Sequence, residues 1–373
     1  MKTFFFKATL LLLPVAFLYI FPTYVEIKSG EFVPLLTVIE KQLDANTQVI
    51  YGPAFSDQTT YHKAQMVTKL QPQVLALGNS KLLTLRAPFF NEGVTFYNAG
   101  GIVGEIGGFR KFLEVTKAKP EILIMTVEPL YFDPLLVIST STLDKKYQSV
   151  PYVTKISSIV VQDWVTVYLD YFKKKFTISE LTQSDPSVET IGLNARINGS
   201  GFRNDGSYHY GKQYESKQLK QEKISRAITY IENKTSIESK EFFSNSARKE
   251  LDELLRYCKE NGIYVIGYIP PTPKAIEDTY KKFPRYDYML ETLSFTSPIF
   301  KKYGFEVYDF YSMARLGAGD EETIDEYHTS ERVMLRVLIK MLDTNKELQQ
   351  VAEKAYLKKI LFNSKDQNDV MKH

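Results

Sequence analysis

A chain of 373 residues, 44% hydrophobic and 24% charged, carries enough apolar mass for a substantial core, which excludes general disorder. Lys and Arg (47) barely exceed Asp and Glu (44) and are spread along the chain, so no polyanion-binding surface is indicated and nucleic acid is not an expected partner. The one cysteine, Cys258, cannot form an intrachain disulfide or a metal cluster alone, and it reads as core filler on the inner face of a helix.

From Ala8 to Val25 the sequence ATLLLLPVAFLYIFPTYV carries no charge, a run of about the minimum length for a spanning helix. Lys7 can reach back to the headgroups, Pro14 is tolerable inside a membrane helix, and Tyr19 and Tyr24 fall toward the far interface. Bulky Phe17, Leu18, Tyr19 and Phe21 occupy the place of a small-residue cleavage site, which favours an uncleaved signal anchor. Residues 1–7, with Lys2 and Lys7, are then a cytoplasmic flank, and the remainder is expected outside the cytoplasmic membrane on a single-pass anchor.

Residues 26–72 lack strong periodicity and read as a neck and domain entry. Short apolar runs at 74–78, 94–100 and 121–127 then read as buried strands, with a crossover helix at 104–120 presenting Ile106, Phe109, Phe112, Leu113 and Val115. Between about 130 and 240 the alternation lapses into an aromatic-rich helical stretch at 157–176 and a turn-rich passage at 196–214, which together read as an insertion. The pattern resumes with a helix near 245–261, a strand at 264–271, a helical region at 276–303, a strand at 305–310 and a helix at about 329–344. Residues 346–373 are expected to form a C-terminal helix and a frayed tail. This order predicts an α/β domain over 73–345 built on a parallel sheet, with sites at the carboxyl ends of its strands.

Two groups of residues fall at such ends. Gly78-Asn79-Ser80 follows the first strand, where a serine stands at the strand-to-helix turn. Asp325-Glu326-Tyr327-His328 follows the last strand and precedes a helix, so one loop presents an aspartate and a histidine. A serine nucleophile needs a base to take its proton and an acid to orient that base, and an α/β sheet brings these two loops to one edge. The glycines at 100, 101, 104, 107 and 108 lack Gly-x-Gly-x-x-Gly spacing, and the histidines lack partners at ligand spacing, so no dinucleotide, metal or other cofactor is expected.

The order LGNS after a strand, then YNAGGIVGE, then DEYHTSE before the last helix resembles the SGNH (GDSL-like) hydrolase superfamily over roughly 70–130 and 300–345. The resemblance implies a flavodoxin-like three-layer fold, with helices on both faces of the sheet, behind one N-terminal transmembrane helix. It implies Ser80 as nucleophile, His328 as proton shuttle and Asp325 as its orienting acid. The Ser80 N–H and the N–H of Gly104, with Gly100 and Gly101 as alternatives, would then be oxyanion donors. Asn79 stands where the family has aspartate. The family's Gly-x-Asn-Asp block is missing: the third strand is followed by Glu128-Pro129-Leu130-Tyr131, and an ionised glutamate only accepts. That departure resembles the membrane-anchored proteins of alginate O-acetylation and teichoic acid D-alanylation.

Asn79, Glu128 and Tyr131, with Arg203 and Asp205 of the turn-rich loop, are the expected substrate-facing residues. The expected activity is that of a serine esterase or O-acyltransferase on ester groups of a cell-surface polysaccharide or other acylated glycan, with a membrane acyl-transport protein as a further partner. The alternative is a non-catalytic binding or scaffold subunit of a membrane-bound polysaccharide complex.

Overall fold

A computed structural model describes residues 2–56, 58–133, 163–183, 185–233 and 243–372. The chain divides into two compact units, Met1–Gln58 with Ser149–Asn204, and Thr59–Gln148 with Asp205–His373. The expected neck and part of the expected insertion therefore fold together, because the strand Val49–Tyr51 pairs in parallel with Glu189–Ile191 and antiparallel with Phe202. The expected boundary at residue 73 moves to Thr59, since the helix Thr59–Leu70 belongs with the larger unit.

In the smaller unit the helix Lys2–Ser29 covers the apolar run, and Val25 joins Val167, Phe176, Leu181 and Leu193 in a buried cluster. The side chains at 8–12 and 14–17, most of the expected span's first half, lie outside the described residues. Among the described residues no helix is long and apolar enough to cross a membrane.

The larger unit is an α/β body on five parallel strands, Phe96–Ala99, Val74–Leu77, Ile122–Thr126, Tyr264–Ile269 and Glu306–Asp309, adjacent in that order. Numbered along the chain this is 2-1-3-4-5. The first four strands are buried almost throughout, as parallel strands covered on both faces must be, which is why they read as continuous apolar runs. Alternate residues Val74, Ala76, Ile122, Ile124, Ile266 and Tyr268 share a cluster with the buried stripe of the helix Glu331–Met341. Side chains at the positions between them point to the other face. There a Cβ on Gly267 would meet the Phe300 ring at 2.6 Å, which places the helix Asp287–Lys302 against the sheet. Leu251, Leu254, Leu255 and Cys258 form the buried face of the helix Asn245–Glu260, each buried leucine contributing about 1.5–3 kcal/mol.

Three expectations change. The crossover helix runs Ile106–Thr116, ended by Lys117 in the left-handed region (φ 53°), and Val115 lies exposed on its outer side. The turn-rich passage contains the helix Leu193–Asn198 and the short strands Gly201–Phe202 and Tyr208–His209. The tail is not frayed: Val370 is buried in the main core, its N–H donates to Glu331, and Asp369 pairs with Arg86 at 2.7 Å.

Candidate functional site

The strand Val74–Leu77 ends at Gly78, where the chain crosses so close to the third strand that a Cβ would lie 2.2 Å from Thr126 Oγ1. Glycine is required there by space. The Gly78 carbonyl accepts N–H groups from Gly101, Ile102 and Val103, which ties the loop after the second strand to the serine turn. Asn79 caps the 3-10 turn Ser80–Leu82, its Oδ1 accepting the Lys81 N–H at 3.2 Å. Ser80 is thus the first residue of a helical turn, where N–H groups have no partner within the turn. Among the described residues the Ser80 N–H has no hydrogen-bond partner.

Across the sheet edge, the loop at 323–329 closes on itself through a bridge between Thr323 and Thr329 and the Ile324 N–H to the His328 carbonyl, 2.8 Å. Asp325 Oδ1 accepts the N–H groups of Tyr327 and His328, both at 2.9 Å, so the carboxylate is fixed before it meets the ring. His328 Nδ1 then lies 2.8 Å from Asp325 Oδ1, and His328 Nε2 lies 2.8 Å from Ser80 Oγ. Burial raises the Asp325 carboxyl, but the hydrogen bond and charge of His328 and the two N–H groups outweigh it and hold the acid below its usual range. Tyr210 lies behind, its ring centroid 6.1 Å from that of His328 and edge-on to Tyr208 and Tyr214. Burial pushes its phenol well above the usual range, and the Asp325 charge adds to this, so it stays neutral.

Serine, imidazole and carboxylate in this line can pass a proton from Ser80 Oγ to His328 Nε2 while Asp325 supports the resulting imidazolium, the requirement for nucleophilic attack by a serine.

Ser80 and His328 open onto a cavity of ≈ 210 Å³. Leu130, Pro273, Ile276 and Met289 give it apolar walls, and Tyr280, Tyr311 and Tyr327 add rings. Its charged floor is Lys81 and Glu128, paired at 2.9 Å with only 14% and 6% of their side chains exposed. The Asn79 amide donates to the same Glu128 carboxylate at 3.1 Å. Asn79, Glu128 and Lys81 therefore line the cavity together. A second groove, ≈ 900 Å³, is lined by Tyr214 and by the charged residues Lys217, Lys220, Glu321, Arg332 and Lys365 among others.

Other expected site residues are not among those lining this cavity. The Tyr131 hydroxyl is buried against the Val103 carbonyl (3.1 Å) and Thr126 Oγ1 (3.3 Å), so it braces the loops under the serine and does not line the cavity. Asp205 is used up in a turn, accepting from Ser207 N, Ser207 Oγ and the Ala87 N–H. Arg203 belongs to the smaller unit. The N–H of Gly100 donates to Asn98 Oδ1 and that of Gly101 to the Gly78 carbonyl, so neither is open to an oxyanion. Gly104 is exposed, and among the described residues its N–H has no partner, but it does not line the cavity.

The sequence reading passed over two buried braces. Asn98 donates to the carbonyls of Leu82 and Leu85, both at 2.8 Å, and fixes the turn that follows Ser80. Lys63, fully buried, donates to the carbonyls of Asn98, Gly100 and Gly206 at 3.1, 2.6 and 3.0 Å. Burial draws its ammonium well below the usual range, only partly opposed by the charge of Asp205. Among the described residues no cluster of His, Cys, Asp and Glu could hold a metal ion. Neither protein-family models nor curated proteins match this chain.

Proposed function

We propose that the chain is a serine esterase or O-acyltransferase of the SGNH type, held to the cytoplasmic membrane by its N-terminal helix and acting on ester groups of a cell-surface polysaccharide. The observation that carries the reading is the continuous line Ser80 Oγ to His328 Nε2 to Asp325, each step 2.8 Å, with Ser80 and His328 248 positions apart in sequence. The strand order 2-1-3-4-5 is that of flavodoxin-like sheets, whose topological switch point lies between strands 1 and 3, and Ser80 directly follows strand 1 at that point.

Ser80 Oγ attacks the ester carbonyl, His328 takes its proton and returns it to the leaving alkoxide, and the acyl group rests on Ser80 until water or a sugar hydroxyl removes it. The Ser80 N–H donates to the oxyanion. The cavity is smaller than the roughly 300–1,000 Å³ of typical ligand sites, which suits a short acyl group rather than a long lipid chain. The groove lined by Tyr214 and several charged side chains suits a hydrophilic acceptor. The anchor rests on the uncharged run Ala8 to Val25, which lies within the helix Lys2–Ser29.

A non-catalytic binding role is the competing reading, favoured by the spent N–H groups of Gly100 and Gly101, which leave the oxyanion fewer backbone donors. Mass spectrometry of the full chain after incubation with p-nitrophenyl acetate separates the two. Acetyl on the peptide bearing Ser80, absent in Ser80→Ala, supports the enzyme. An unmodified folded protein supports the binding subunit.

A further inference from the structure

In the smaller unit the helical segment at 163–172 carries Val165, Leu169 and Phe172 at i, i+4 and i+7, one face of a helix, and these side chains are 55%, 49% and 74% exposed. Its opposite side is satisfied: Val167 is fully buried with Val25, Phe176, Leu181 and Leu193. The segment is therefore anchored on one side and leaves an apolar stripe uncovered on the other. Contiguous exposed apolar surface of this kind marks a surface that something else covers.

The neighbours of the segment indicate what covers it. Trp164 packs on Tyr19 with ring centroids 3.8 Å apart, Phe21 lies 5.4 and 4.9 Å from Tyr168 and Tyr171, and the Tyr168 hydroxyl donates to the Leu18 carbonyl at 3.0 Å. All three of these partners belong to the uncharged run Ala8 to Val25. From Leu18 to Val25 a helix rises about 10 Å, so 163–172 lies beside the last two turns of that run. Leu18, Ile20 and Ile27 of the long helix are themselves exposed beyond the contact. Immediately after the segment come Lys173, Lys174 and Lys175, all exposed, with Lys174 in the left-handed region (φ 56°) where the helix stops.

We propose that 163–172 is an interfacial helix lying in the headgroup region of the bilayer, a second membrane contact beside the anchor. The proposal rests on the anchor reading, since a bilayer that receives residues 8–25 receives at shallow depth whatever packs on Leu18 to Phe21. Trp and Tyr at that level match the preference of amphipathic rings for the interface, the stripe Val165, Leu169, Phe172 enters the acyl boundary, and Lys173 and Lys174 meet anionic headgroups, Lys175 being paired with Asp170 at 2.7 Å. The active unit would then be tethered at two points on one chain.

Trp164 is the chain's one tryptophan, so its fluorescence reports this contact alone. The full chain is reconstituted into phosphatidylcholine–phosphatidylglycerol vesicles carrying lipids brominated either near the headgroup or near the acyl terminus. The expected result is emission lowered about twofold by the shallow bromines and less by the deep ones, with the quenching lost in Leu169→Glu/Phe172→Glu, whose exposed positions leave the fold intact. Flotation of the chain with vesicles but no quenching overturns the interfacial helix and points to a protein partner over the stripe. Unchanged quenching in the double variant overturns the role of the stripe. A chain that does not float overturns the anchor and this contact together.

Discussion

Lys81 and Glu128 form an ion pair 2.9 Å long at the cavity floor, with 14% and 6% of their side chains exposed. Removing one partner of a nearly buried pair strands the other charge, which costs about 3–5 kcal/mol, whereas removing both leaves none to solvate. Asn79 softens the loss by keeping its amide on Glu128, which puts Lys81→Met at the lower end, about 3 kcal/mol. Glu128→Met, which strands the ammonium, is expected to cost about the same. The double variant should cost no more than either single, a coupling of about 3 kcal/mol. Urea unfolding of the full chain in detergent, followed by circular dichroism at constant m, measures all three. Costs that add to within about 0.5 kcal/mol would falsify the pairing as an energetic unit.

Four further outcomes are expected. Gly78→Ala places a methyl 2.2 Å from Thr126 Oγ1, and the shift should cost about 1–3 kcal/mol in urea unfolding and slow modification of Ser80; an unchanged midpoint and rate would show that the crossing is not tight. Asn345 caps the helix Lys346–Val351 at 2.7 Å and also donates to Glu306 at 2.7 Å, so Asn345→Ala should lose about 1–2 kcal/mol, read from the same transition. Burial pushes the Cys258 thiol up to about 12, so a disulfide reagent at pH 8 should react slowly with the folded chain and rapidly in urea; fast reaction of the native protein would contradict its burial. Burial, with the charge of Lys63 adding, pushes His62 down to about 3, below its value when unfolded. The unfolded chain therefore binds the proton first, and stability that is full above about pH 6.5 falls as pH drops toward 3. At pH 5 the loss from His62 is about 2 kcal/mol, and a His62→Met variant should show a correspondingly smaller difference in unfolding free energy between pH 7 and pH 5.

The first four sheet strands were legible because burial on both faces makes them largely apolar, and the runs at 74–78 and 121–127 needed no other signal, whereas the fifth, Glu306–Asp309, is half-buried and was legible mainly from its place in the α/β order. Ser80, Asp325 and His328 were legible by position: once the strands are ordered, their loops share an edge. The braces beneath them were not, because Lys63 and Asn98 act on backbone carbonyls, and a carbonyl leaves no mark in the sequence. Lys81 could have been found from its place beside the serine, together with Glu128 after the third strand, had that carboxylate been asked for a partner. Tyr131 and Asp205 spend their hydrogen bonds inward, a use that their residue type and place in the sequence do not reveal. The smaller unit was hidden because its strands are two or three residues long and pair across distant stretches of chain, too short for a period to register.

Labelling by a fluorophosphonate probe reads the activation of Ser80 itself. The full chain in detergent should take the label on Ser80, with the rate falling by a factor of about 10² or more in His328→Ala while the circular dichroism spectrum is kept. A folded wild-type protein that takes no label, or a variant that labels as fast as wild type, would show that Ser80 is not activated and leave the line from Ser80 to Asp325 as a structural hydrogen-bond network.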